Sequence, residues 1–155
     1  MAEKTQKMKL LTDNRQARFR YEILETYEAG IELRGTEVKS IIAGSANLQD
    51  AYALVRGGEV WLFNAHISPF QQASQYYNHE PRRDRKLLLH RKEINKLVGK
   101  IEQKGLTLVP LKMYMSNNKV KVALGLARGK KLHDKREDVK RRDDQRDMRR
   151  ALKQY

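Results

Sequence analysis

The chain contains no cysteine, a single tryptophan, three phenylalanines and three prolines in 155 residues. Without Cys there is no disulfide framework, no thiolate nucleophile and no Cys-based zinc site. No apolar run approaches the roughly 20 residues that a membrane span needs. The opening residues, 1–9, are polar and lack the apolar centre of a secretory signal, so a soluble, cytoplasmic protein is expected. A chain of this length reads as one domain that can bury about two-thirds of its unfolded surface and needs no staples.

The abundant feature is positive charge. Lys and Arg number 33 against 19 Asp and Glu, a formal net charge of +14. Such an excess favours an anionic partner, and nucleic acid is the commonest. The charge is unevenly spread. Residues 1–127 hold 21 basic and 13 acidic side chains, whereas residues 128–155 hold 12 and 6. The C-terminal stretch has only Leu132, Val139, Met148, Ala151 and Leu152 as aliphatic content. That is too little for a core, so a tail that is disordered when free is expected. Glu137 with Arg141 and Asp138 with Arg142 are favourable i,i+4 pairs, which make a helix available against an anionic surface. The domain reading is therefore a flexible lead-in over 1–13, a nucleic-acid-binding body over 14–128 and a basic tail over 129–155.

Within the body, Phe19 to Tyr27 alternates like a strand, Glu28-Ala29-Gly30 reads as a turn, and Ile31 to Arg34 as a returning strand. Thr36 is a candidate N-cap for a short helix over 37–43, with Val38, Ile41 and Ile42 toward the core. Gly57-Gly58 predicts a tight hairpin between strands at 51–56 and 59–64, with Trp61 and Phe63 as core or barrel-lining residues. Residues 68–86 show no period and read as a long irregular loop, a feature often tied to function. The spacing of Ile94, Leu97, Val98 and Ile101 predicts a helix over 90–104, closed by Gly105, with Lys92, Lys96, Lys100 and Lys104 on its far side. A strand over 106–115 would place Val109, Leu111, Met113 and Met115 on one face, with Pro110 at an edge or bulge. Ser116-Asn117-Asn118 turns the chain into a last strand over 120–126. The sum is an all-β-dominated fold: an oligonucleotide-binding-type closed barrel of about six strands with two to three helices.

Catalytic patterns are lacking. His66, His79, His90 and His133 show no metal-ligand spacing. The serines have no nucleophile-elbow context, and there is no phosphate-cradling glycine loop. The reading is a binding protein without cofactor or metal, not an enzyme.

Seven stretches then resemble one family. They are Asn14-Arg15-Gln16-Ala17-Arg18, the run from Gly30 to Ser40, Ala43-Gly44-Ser45-Ala46-Asn47-Leu48, and His66-Ile67-Ser68-Pro69. The others are Arg85-Lys86-Leu87-Leu88-Leu89-His90, Gly105 to Leu111, and Ala127 to Arg136. Together they resemble the SsrA-binding protein (small protein B) family, the tmRNA partner in bacterial trans-translation. The resemblance implies a barrel that binds the tRNA-like domain of tmRNA, with RNA contacts from Asn14, Arg18, Glu37, Lys39, Asn47, Arg85, Lys86, Lys130 and Lys131. It implies a tail that becomes helical in the decoding centre of a stalled ribosome, through Gly129, His133, Asp134, Lys135 and Arg136. The implied partners are tmRNA, small-subunit rRNA and, through the tmRNA complex, the elongation factor that delivers aminoacyl-tRNA. The protein itself would be a monomer. Where the family commonly has His and an acid after the Asn-x-x-Ala-Arg run, this chain has Phe19 and Arg20. A generic RNA-binding barrel and a ribosome-assembly protein are the competing readings.

Overall fold

The computed structural model describes residues 8–74 and 76–129. A first strand, β1 (Lys9–Asp13), leads into helix α1 (Arg15–Arg20) and the long strand β2 (Tyr21–Ile31). Helix α2 (Gly35–Ile42), the short β3 (Ala46–Asn47), β4 (Tyr52–Arg56), β5 (Glu59–Phe63) and the short β6 (His66–Ile67) follow. After an irregular strap, the chain completes β7 (Arg85–Leu88), α3 (Arg91–Lys104), β8 (Thr107–Ser116) and β9 (Lys119–Gly129). The main sheet runs β1-β8-β4-β5-β7-β2-β9, and β8 also pairs with β9. Six strands therefore form a ring, β8-β4-β5-β7-β2-β9 and back to β8, with every described pairing antiparallel. Strand β3 pairs with β6 in a separate small sheet.

The ring encloses a core of Ala53, Val60, Leu62, Leu87, Leu108, Met113, Leu124 and Leu126, all at most 1% exposed. Helix α3 closes it by inserting Ile94 and Leu97. Gly105 ends that helix in the left-handed region (φ 60°), as the sequence predicts. The Gly57-Gly58 hairpin also forms as read, and the chain turns within Ser116-Asn117-Asn118, at Asn117 and Asn118 alone. Gly57 and Gly58 take φ of 62° and 76°, the pair of positive angles that a two-residue turn matching strand twist requires. Asn117 and Asn118 do the same between β8 and β9 at 53° and 59°.

Five local readings are corrected. Residues Lys9–Asp13, assigned to the lead-in, form β1 on the edge of β8, and Leu11 packs on the core. Phe19 lies in α1, not in a strand. Glu28-Ala29-Gly30 is no turn, because β2 continues through it. At Gly30 and Ile31 the strand hands over from β9 to β7, and a Cβ on Gly30 would sit 3.3 Å from Leu88 Cβ. The glycine serves close approach of strands rather than a bend. Helix α2 begins at Gly35 with Arg34 at its cap, not Thr36, and it buries Glu37, Ser40 and Ile41 while Val38 is half-buried and Ile42 exposed. In β5, Val60 and Leu62 point inward, and Trp61 and Phe63 take the outer face.

Strand β8 shows why its one-face reading fails. A bulge between Pro110 and Lys112 inserts an extra residue opposite Leu124 and Ala123. Val109 and Leu111 therefore face a second cluster with Ala17, Tyr114, Ala123 and Ala127, while Met113 and Met115 return to the main core. Gly125 makes room for this second layer, since a Cβ there would meet both Leu111 methyls at 3.2 Å.

Candidate nucleic-acid interface

The sequence-predicted residues separate into an interior group and a surface group. The interior group centres on Glu37, which is fully buried in the first turns of α2. Its Oε1 accepts the Arg34 backbone N–H at 2.8 Å and two guanidinium N–H groups of Arg83 at 3.1 and 2.5 Å. Its Oε2 accepts from Nε of Arg85, which is equally buried. Arg85 spends its other N–H groups on the carbonyls of Ala65 (2.8 Å) and Pro81 (3.1 Å). Burial is the largest single influence on the Glu37 carboxyl and opposes its charge. The hydrogen bonds from Arg83, Arg34 and Arg85 together outweigh it and hold the carboxyl below its ordinary value.

This junction fixes the strap over residues 68–84. His79, 4% exposed, sits between the Ile67 carbonyl (Nε2, 2.8 Å) and the Thr36 hydroxyl (Nδ1, 2.8 Å). A carbonyl only accepts, so Nε2 carries the proton and, in the neutral ring, Thr36 donates to Nδ1. Asn78 bridges both backbone groups of Phe70, at 3.0 and 2.9 Å. The strap is thus pinned to α2 and β6 by a buried polar network rather than by apolar packing.

Asn14 is also interior. Its Nδ2 donates to the carbonyls of Leu48 (3.2 Å) and Pro110 (2.8 Å), tying the start of α1 to the β8 bulge. Glu37 and Arg85 have no exposed surface, and Asn14 is only 6% exposed. The surface group comprises Arg18 on α1, Lys39 on α2, Asn47 on β3, the half-buried Lys86 on β7 and Gly129 at the end of β9. Lys39 Nζ lies 5.5 Å from the Phe70 ring centre, and Asn47 Oδ1 accepts the Gln49 N–H. These surface residues come from five separate elements. Lys130, Lys131, His133, Asp134, Lys135 and Arg136 lie outside the described residues.

The fold gathers a different set. A groove of about 760 Å³ opens where β2 passes from β9 to β7. Glu28 and Gly30 come from β2, Val38 from α2, Leu88 from β7, His90 from the start of α3, and Lys119 and Lys121 from β9. Leu88 is 47% exposed at its wall. The Tyr114 hydroxyl has its pKa raised to about 12, by burial first and by the neighbouring Glu28 carboxylate second. Lys119 and Lys121 make no ion pair among the described residues, whereas Lys100 of the predicted lysine stripe pairs with Glu25. An open wall with ammonium groups, an exposed carboxylate, an imidazole and an apolar shelf suits a shaped polyanion with hydroxyl and amino donors. Sequence reading missed this set because strand register, invisible from spacing, brings Glu28 and Lys121 together. The one available signal was Leu88, an exposed leucine in the Leu87-Leu88-Leu89 run.

Comparison with known proteins agrees with the resemblance. The model of the SmpB protein family matches residues 11–154. An SsrA-binding protein of Gloeothece citriformis is 70% identical over 155 residues, all of both chains. One from Synechococcus elongatus is 72% identical over 146 residues, 94% of this chain and 95% of that one. A solved chain described as "tmRNA-SmpB: a journey to the center of the bacterial ribosome" is 54% identical, with TM-score 0.67, over 83% of this chain and 93% of that one. With its family model matched over nearly its whole length, this chain belongs to the SmpB protein family.

Proposed function

We propose that the chain is a tmRNA-binding protein of trans-translation that rescues stalled ribosomes, and that the Glu28–Leu88–Lys121 groove receives the tRNA-like domain. Family membership supports tmRNA and the ribosome as partners. The observation that carries the placement is the groove itself, where Lys119 and Lys121 stand without carboxylate partners among the described residues, beside an exposed acceptor. The lysines neutralise phosphates. Glu28 accepts from 2′-OH or base amino groups, and Leu88 packs on a sugar or base. The six-strand ring is the oligonucleotide-binding-type barrel that the sequence suggests, and its role is binding rather than catalysis. Glu37, Arg85 and Asn14 act from within, by holding α2, the strap and α1 in the shape the RNA reads.

The body, which takes in β1 through β9, and the basic tail that follows it divide the work. The tail enters the empty decoding centre in place of a codon–anticodon pair and becomes helical as rRNA phosphates neutralise it. Lys130 and Lys131 meet phosphates at the junction, and His133 stacks on a base near the helix start. The protein acts as a cytoplasmic monomer, and its tmRNA complex travels with the elongation factor that delivers aminoacyl-tRNA. The test measures two quantities in one variant. Changing Asp134, Lys135 and Arg136 together to Ala should leave binding to the tRNA-like domain intact and abolish peptide tagging on stalled ribosomes. Equal loss of both would make the tail a mere tether. Loss of neither would remove it from the mechanism.

A further inference from the structure

The outer face of the β4–β5 hairpin carries side chains that the groove does not use. Tyr52, Leu54 and Arg56 alternate along β4, and Phe63, Trp61 and Glu59 stand opposite them in register. The Tyr52 and Phe63 rings stack at 5.4 Å with 19° between their planes. The Arg56 guanidinium lies 5.0 Å from the Trp61 ring centre and 5.3 Å from that of Phe63. None of this serves the core, which takes Ala53, Val60 and Leu62 from the opposite face. Instead Tyr52 is 42% and Leu54 50% exposed. Cations surround the rings. Lys86 stands across from Trp61 on β7, and Arg82 donates to Asn64 Oδ1 just beyond Phe63. Neither pairs with a carboxylate among the described residues, and the Arg56–Asp84 contact is a loose 3.9 Å between half-exposed groups.

We infer that this face is a stacking platform for unpaired RNA nucleotides, a second RNA-contact surface that shares no residue with the groove. Flat rings on a sheet accept bases of any identity, and a guanidinium lying on them adds a further plane and a positive charge. A protein partner docking on the same rings would have to bring carboxylates of its own for Lys86 and Arg82, which pair with none among the described residues, or bury them unpaired, which is costly. A phosphate backbone running over the hairpin supplies that counter-charge.

The chain's one tryptophan, Trp61, lies in the platform and reports on it directly. The full-length protein is titrated with a single-stranded oligoadenylate of about twelve nucleotides and with an RNA duplex of equal length, following Trp61 emission. Saturable quenching by the single strand, at concentrations several-fold below any quenching by the duplex, is expected. Tyr52→Ala should weaken the single-strand titration about tenfold, the loss of one stacked base, and leave gel-shift affinity for the tRNA-like domain within about twofold. Lys119→Ala with Lys121→Ala should do the reverse, so failure of the groove and failure of the platform are distinguishable. No Trp61 response, equal quenching by duplex, or an unchanged titration in a folded Tyr52→Ala variant would overturn the platform. So would an emission change that follows protein concentration without RNA, which would assign the face to self-association. The wild-type titration decides even where Tyr52→Ala fails to fold.

Discussion

Glu37 lies inside the family-like run from Gly30 to Ser40 and Glu28 just before it, and the two carboxylates occupy opposite environments. Glu37 is fully buried and accepts from two arginines and a backbone N–H. Glu28 is exposed in an open groove, close enough to Tyr114 to help raise its pKa. Buried acids are compensated inside the fold and stabilise its shape, because any unpaired charge there is expensive. An acid on a groove wall retains lone pairs for a ligand. The two regions teach that neighbouring charged residues can be set for different tasks, one turned to the interior to fix the shape of the fold and one left open on a groove wall.

The largest effect should come from Glu37→Ala. It strands Arg85, which has no exposed surface, and breaking one partner of a buried pair typically costs about 3–5 kcal/mol. That is a large share of the roughly 5–15 kcal/mol that holds a domain together. Urea unfolding monitored by circular dichroism reads it, and a variant as stable as the parent would end the assignment of Glu37 to the interior. The pH dependence has a definite sign. The folded carboxyl titrates below its ordinary value of 4.5, so its stabilisation is fully present above that value and is lost as the pH falls through the depressed folded value. Glu37→Gln should flatten the acid limb of the stability profile.

Next in size is the groove. Lys119→Ala with Lys121→Ala should shift unfolding by no more than about 0.5 kcal/mol, because neither residue makes an ion pair among the described residues. Binding to the tRNA-like domain should fall, and the slope of log K against log salt should become shallower by roughly 1.4–1.8 for two lost phosphate contacts. Filter binding across a salt series checks both. An unchanged slope would move the RNA off this wall and dissolve the contrast between the two carboxylates.

How far the sequence alone reaches is clear from single elements. Helix α3 and both two-residue hairpins are legible, because their signals are local: an apolar i, i+3, i+4 stripe, a C-terminal glycine, and paired residues that tolerate positive φ. The family motifs are legible for the same reason. Three features were not. The β8 bulge turns Val109 and Leu111 away from Met113, and one inserted residue leaves no mark in an unbroken apolar run. Trp61 and Phe63 face outward although size alone argues for burial, because Val60 and Leu62 fill the ring from the other phase. Glu37 looks like a surface contact until Arg83 and Arg85, more than forty residues away, fold over it. The groove lies beyond local reading for the same reason, since its walls meet only through the β2 handover.

The smallest expected effect sharpens the comparison most, because it repeats the Glu37 substitution at its open counterpart. Glu28→Gln keeps size and one acceptor and removes the charge. Folding stability should be nearly unchanged, unlike Glu37→Gln. Affinity for the tRNA-like domain should fall by only a few-fold, the scale of one hydrogen bond weakened by roughly 0.5–1 kcal/mol. A second readout is internal to the groove. Tyr114 ionises at about 12 because burial and then Glu28 resist its negative charge. With the Glu28 charge gone, the Tyr114 pKa should fall yet stay above the ordinary 10.0, since burial remains. Spectrophotometric titration, with Tyr114→Phe to assign the transition, measures this. If Glu28→Gln unfolds as readily as Glu37→Gln, both acids are structural and the groove loses its acceptor. If Tyr114 shifts as expected while RNA affinity stays fixed, the carboxylate is correctly placed but the RNA passes it by, and the contact belongs to the lysine wall alone.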